Sequence, residues 1–160
     1  MPLLKGGRPV NDSWQRVADG DQLPEGGIIV SLERWQSERE TLLARGQPLG
    51  VALPNTADVA PLQSDLVHFG VIVLHLPKFT DGRAYSQARR LRDQLGFAGE
   101  LRVTGQILPD QIFFLQRVGF DAFETDDPRV VARWAETQAP FSAVYQPAAD
   151  GRRAILSPSG

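Results

Sequence analysis

One stretch of the chain concentrates groups that handle anions: Pro77-Lys78-Phe79-Thr80-Asp81-Gly82-Arg83-Ala84-Tyr85-Ser86. Lys78 and Arg83 flank the turn signal Asp81-Gly82, and the helix expected to follow offers free backbone N–H groups at its positive end. Such a combination attracts phosphate, sulfate or a carboxylate. A plainer reading has Asp81 capping the helix while Lys78 and Arg83 are solvated. Arg90 lies two helical turns beyond Arg83, a spacing that allows one anion to be shared. A second polar stretch is Thr104-Gly105-Gln106-Ile107-Leu108-Pro109-Asp110-Gln111. There Gly105 permits close approach of backbone to a ligand, and Asp110 and Gln111 fall in a first helical turn. Asp121 and Glu124 face opposite sides of a strand, with Glu124 nearer its carboxyl end. The candidate ligand-binding residues are therefore Lys78, Asp81, Arg83, Tyr85, Ser86, Gln106, Asp110, Gln111 and Glu124, with no catalytic group assigned.

Other chemistries lack their residues. With no cysteine, the chain offers no disulfide, thiolate metal site, cysteine-held iron–sulfur cluster or cysteine nucleophile. Its two histidines, His68 and His75, have no partners at metal-ligand spacing, so no metal site is expected; His75, inside an apolar run, reads as a core residue. No dinucleotide glycine fingerprint, phosphate-binding P-loop, zinc-protease motif or nucleophile elbow is present.

The elements that would position these groups alternate along the chain. Apolar runs at Ile28-Val30, Leu49-Leu53, Val71-Leu76, Leu101-Thr104 and Phe120-Phe123 read as strands, the third apolar enough to be covered on both faces. Helical spacing separates them. Trp35, Leu42 and Leu43 mark one apolar face, Val59, Leu62, Leu66 and Phe69 a second, and Ala88, Leu91 and Leu95 a third, opposite Arg89, Arg90, Arg92 and Asp93. Pro109 and Gly119 bound a fourth helix, and Asp127-Pro128 opens a fifth that runs through Val130, Val131 and Trp134. The expected fold is a single α/β domain: an open, mostly parallel sheet of about five strands with helices on both faces. A partial βα barrel is the alternative. Around this domain, at 28–146, the reading places an N-terminal extension over 1–27 with a hairpin at Lys5-Gly6-Gly7-Arg8, and a flexible tail over 147–160. Phe141 to Gln146 would add an edge strand.

In the 160 residues, hydrophobic types make up 42% and charged types 22%, enough apolar material for a core. Seventeen basic against nineteen acidic side chains give a net charge of −2, without the basic surplus that a nucleic-acid binder needs. No apolar run reaches the roughly 20 residues that span a bilayer, and the start lacks a secretion signal, so a cytoplasmic protein with no membrane partner is expected. Ile112-Phe113-Phe114-Leu115 is apolar around its whole circumference, as expected of a helix buried on several sides or of one forming a subunit contact, a homodimer through that helix.

The stretch from Pro77 to Arg92 closely resembles the hallmark of DUF934, a bacterial family of unknown function. Gly99-Glu100-Leu101-Arg102-Val103-Thr104-Gly105, Asp110-Gln111 and Gly119-Phe120-Asp121-Ala122-Phe123-Glu124 are similar to its second half, as are Phe141-Ser142 and Tyr145-Gln146. The resemblance covers most of 28–146. Val118 stands where many members have cysteine, and Thr104 where alanine or valine is usual. Family members are generally described as oxidoreductases of assimilatory sulfite reduction, because they accompany sulfite reductase genes. The resemblance thus implies an accessory protein of that step, binding an oxyanion or components of sulfite reductase. The alternative it implies is a small oxidoreductase holding a flavin or a nicotinamide nucleotide.

Overall fold

A computed structural model describes residues 3–6, 8–78 and 82–138, with backbone alone at 137 and 138. Five strands fall on the apolar runs: β4 (Ile28–Ser31), β5 (Leu49–Leu53), β6 (Val71–Leu76), β7 (Glu100–Gly105) and β8 (Ala122–Glu124). Ahead of them come β1 (Leu3–Lys5), β2 (Arg8–Val10) and β3 (Gln15–Arg16). The helices are α1 (Leu32–Ser37), α2 (Arg39–Ala44), α3 (Arg83–Arg89), α4 (Ile112–Arg117) and α5 (Pro128–Gln138), with a 3-10 helix over Ala60–His68. Ser31 caps α1 by accepting from the Arg34 N–H, and Asp127 accepts from the Arg129 N–H where α5 starts.

Among the described residues the sheet has eight strands in the order β2-β1-β8-β7-β6-β5-β4-β3, which corrects the expected count of about five. β3 through β8 are parallel neighbours, whereas β1 runs antiparallel to both β8 and β2. The expected edge strand over Phe141–Gln146 and the tail from 147 lie outside the described residues.

Helices on both faces is likewise corrected. From β4 to β8 the strand order follows the chain order without reversing, and right-handed crossovers then place the helices between these strands on one side. Packing agrees. Val30, Val51, Leu74, Val103 and Phe123 share one core with Trp35, Leu62, Ala88, Leu115 and Trp134 from the helical segments. On the opposite face, among the described residues, only Ile29, Val71 and Val73 cluster, packed with Trp14 and Ala52. Such one-sided layering curls the sheet into a half-barrel.

A short connection measures the curl. β2 and β3 are the two outer edges, and eight flat strands at about 4.8 Å spacing would hold them roughly 34 Å apart. The chain passes from Val10 to Gln15 through four residues, a span of at most about 18 Å. Residues 11–14 are therefore a strap across the gap between the edges. Trp14 seats it: a Cβ on Gly27 or Gly70 would meet the Trp14 ring at 3.0 and 3.1 Å.

His75 is exposed on the concave face, not in the core as expected. Side chains of β6 alternate, and Val73 is the last one on that face to be covered. Arg92 departs too from the solvent face read for it: its guanidinium donates to the carbonyls of Phe97, Gly99 and Gly119 and to Asp121.

Candidate functional site

At the carboxyl ends of β5 and β6 the loop after β5 faces the first turns of α3. They enclose a cleft of about 340 Å³ lined by Asn55, Thr56, Ala57, Asp58, Val59, Arg83, Ser86, Gln87 and Arg90. Arg83, Gln87 and Arg90 step by four and three, so helical geometry sets them on one face. Ser86 keeps its hydroxyl on the Gly82 carbonyl at 3.3 Å. Arg90 donates to Gln94 at 3.2 Å, and its Nη1 lies 3.5 Å from Asp58. That contact is long and exposed, so it holds neither charge firmly. The lining thus combines two guanidinium groups, hydroxyls and amides with one carboxylate, a set suited to an anion with hydrogen-bonding oxygens. It sits where ligands of parallel α/β sheets bind, outside the strands' carboxyl ends.

The other residues named from sequence spread over three places. Lys78 is exposed just past β6, and Asp81 lies outside the described residues. Tyr85 and Gln111 meet each other, Gln111 Nε2 donating to the phenol oxygen at 2.8 Å. Tyr85 also packs edge-on against Phe114 with ring centroids 5.0 Å apart, and burial pushes its phenol pKa up. Asp110 is exposed in the same 3-10 turn as Gln111, while the exposed Gln106 donates its backbone N–H to the Leu76 carbonyl at 2.7 Å.

Glu124 belongs to the concave face. β7 and β8 place it two residues along from the position opposite Arg102, a fully buried arginine whose every N–H is answered. Nε and Nη2 of Arg102 reach Glu100 at 3.0 and 2.9 Å, Nη1 reaches Glu124 at 2.9 Å, and both terminal nitrogens grip Asp12 of the strap at 2.9 and 3.2 Å. Arg16 donates to both oxygens of Glu124 at 2.9 Å, and Lys5 pairs with Glu100 at 3.0 Å. Three cations thus balance three carboxylates. Burial works against the charge on Arg102, but the carboxylates of Asp12, Glu124 and Glu100 overcome it and raise its pKa. Burial likewise opposes ionisation of Asp12, yet Arg102, the Trp14 N–H and Arg16 together hold that carboxyl below the usual range. With its partners engaged in this way, the network fastens strap to sheet.

Sequence reasoning missed Asn55, Thr56 and Asp58 in the cleft, since only the folded loop after β5 brings them to α3, and it passed over Gln87 although helical spacing already sets that residue on the face of Arg83. It also passed over Arg102. Its signal was present, because an arginine centred in a buried strand requires carboxylates around it. Among the described residues no three histidine or carboxylate side chains are grouped to hold a metal ion, and no helix is long and apolar enough to cross a membrane.

Residues 50–156 match the family model described as bacterial protein of unknown function (DUF934). No curated protein matches the chain.

Proposed function

The chain belongs to the DUF934 family, and on that footing we propose that it serves assimilatory sulfite reduction as an accessory protein which binds an oxyanion or a partner of that step. The observation that carries the binding half is the cleft, where Arg83 and Arg90 face the polar loop after β5. Its volume of about 340 Å³ sits at the small end of ligand pockets, sized for a compact ion or the anionic end of a larger molecule. The pathway half rests on what the family resemblance implies. Lys78, at the same end of the sheet, adds positive charge that steers an anion inward.

Two experiments test this. Arg83→Ala should weaken phosphate binding by roughly 10–150-fold in calorimetry, the loss of one charge-assisted contact of about 1.5–3 kcal/mol. Unchanged affinity would remove the oxyanion site. A strain lacking the protein should grow with cysteine but not sulfate as sole sulfur source, and equal growth on both would remove the pathway. Visible flavin absorption in the purified protein would replace the accessory reading with that of an oxidoreductase.

For the assembly, we infer that a second copy covers α4. Phe113 and Phe114 are 60% and 43% exposed there, beside the buried Ile112 and Leu115. Light scattering should give the dimer mass for the native chain and the monomer mass for Phe113→Glu; a native monomer refutes the contact.

A further inference from the structure

The wall of the cleft holds an acceptor that no described residue satisfies. Gln87, only 6% exposed, stands between Arg83 and Arg90 on their shared helix face. Its Nε2 donates to the carbonyls of Pro54 and Ala57 at 3.0 and 2.9 Å. Those two bonds fix which way the amide lies, because the flipped orientation would press Oε1 against two carbonyl oxygens. Oε1 is buried, and no donor among the described residues reaches it. A buried acceptor left without a partner is rare and asks for a cause.

The two arginines and this oxygen make different demands on one ligand. Guanidinium groups call for negative charge, whereas a carbonyl oxygen repels an anionic oxygen unless that oxygen carries a hydrogen to donate. Building on the reading of the cleft as an oxyanion site, we propose that Gln87 makes it selective for oxyanions that keep a proton near neutral pH. Hydrogen phosphate and hydrogen sulfite have that proton. Sulfate has none. Sites built to hydrogen-bond a hydroxyl reject analogues lacking it far more strongly than apolar pockets reject a change of size, because the buried partner is left unpaired. Gln87 acts as a specificity-determining residue: Arg83 and Arg90 supply attraction common to all anions, and the amide oxygen discriminates among them.

Calorimetry on the full chain with phosphate, sulfite and sulfate tests the proposal. Phosphate should bind about tenfold or more tightly than sulfate. Sulfite should match phosphate at mildly acidic pH and fall toward sulfate at mildly alkaline pH, where it loses its proton. In Gln87→Met, checked for native circular dichroism, the preference should vanish through a gain in sulfate affinity. Equal binding of sulfate and phosphate by the native chain overturns the selectivity while leaving an oxyanion site standing. A preference that persists in folded Gln87→Met overturns the role of Gln87. Absence of binding by all three ions overturns the oxyanion reading beneath it, and the inference with it.

Discussion

Arg102→Leu should cost about 3–5 kcal/mol of stability, read as a lowered urea midpoint with an unchanged slope. Leucine fits the apolar requirement of a fully buried position, so side-chain volume is not the chief loss. The loss lies in what remains: Asp12, Glu100 and Glu124 converge within hydrogen-bonding distance of a guanidinium that is no longer there. Arg16 and Lys5 still neutralise two of them, and the strap's Asp12 is left with the weakest compensation. Against a total of about 5–15 kcal/mol for ordinary domains, such a change is large. An acid titration reads the same network. Because the Asp12 carboxyl is held down in the folded chain, its contribution is present above the unfolded value of about 3.9 and is lost as pH falls through the lower folded value. Native protein should weaken with acid over that window, and Asp12→Asn should flatten the slope. A shallow Arg102→Leu effect, near that of a surface substitution, would mean that the strap is held by Trp14 alone.

Gly105→Ala should cost about 3 kcal/mol or more, the second large effect. Gly105 ends β7 at φ +115, outside the range side-chain-bearing residues adopt readily, and a Cβ there would stand 2.2 Å from the Leu76 carbonyl oxygen. Backbone strain of roughly 1–2 kcal/mol adds to about 1–3 kcal/mol for forcing packed strands apart. Gly46→Ala is the control: φ is +64, yet nothing lies within 4 Å of its Cβ, so strain alone operates. Thermal melts of the two variants should differ in that order. Equal melting temperatures would mean that β6 and β7 yield at this end without cost.

Much of the parallel sheet was legible because β4, β5 and β6 carry nearly continuous apolar runs and Leu101 and Val103 alternate about Arg102 in β7, patterns that burial demands whatever their neighbours are. Val59, Leu62, Leu66 and Phe69 are all buried, as their spacing requires, although the segment is a 3-10 helix. Local chemistry also marked the Asp127 cap. What failed was non-local. Arg8-Pro9-Val10 and Gln15-Arg16 are exposed and too short to alternate, so nothing in them announces which edges they extend. The half-barrel answers to the partial βα barrel held as the alternative; the sequence could not choose it over the open sheet because its curl follows from strand order, which is settled only once all strands are present. In the cleft, Arg83, Ser86 and Arg90 could be placed by helical spacing, whereas Asn55 to Val59 arrive through a loop some thirty residues away in sequence. Asp12 and Arg102 are ninety positions apart, and no periodicity links them.

Synthesis runs against the order in which this sheet is completed. Arg16 leaves the ribosome long before Glu124, its partner 108 positions later, and at about 5–20 residues per second the interval is roughly 5–20 s. Throughout it β1 has no β8 to join, and Asp12 has no guanidinium to grip. The strap, translated well before its partners, is thus among the last segments to settle, and nascent chains expose the unpaired edge of β7 to chaperones until β8 emerges.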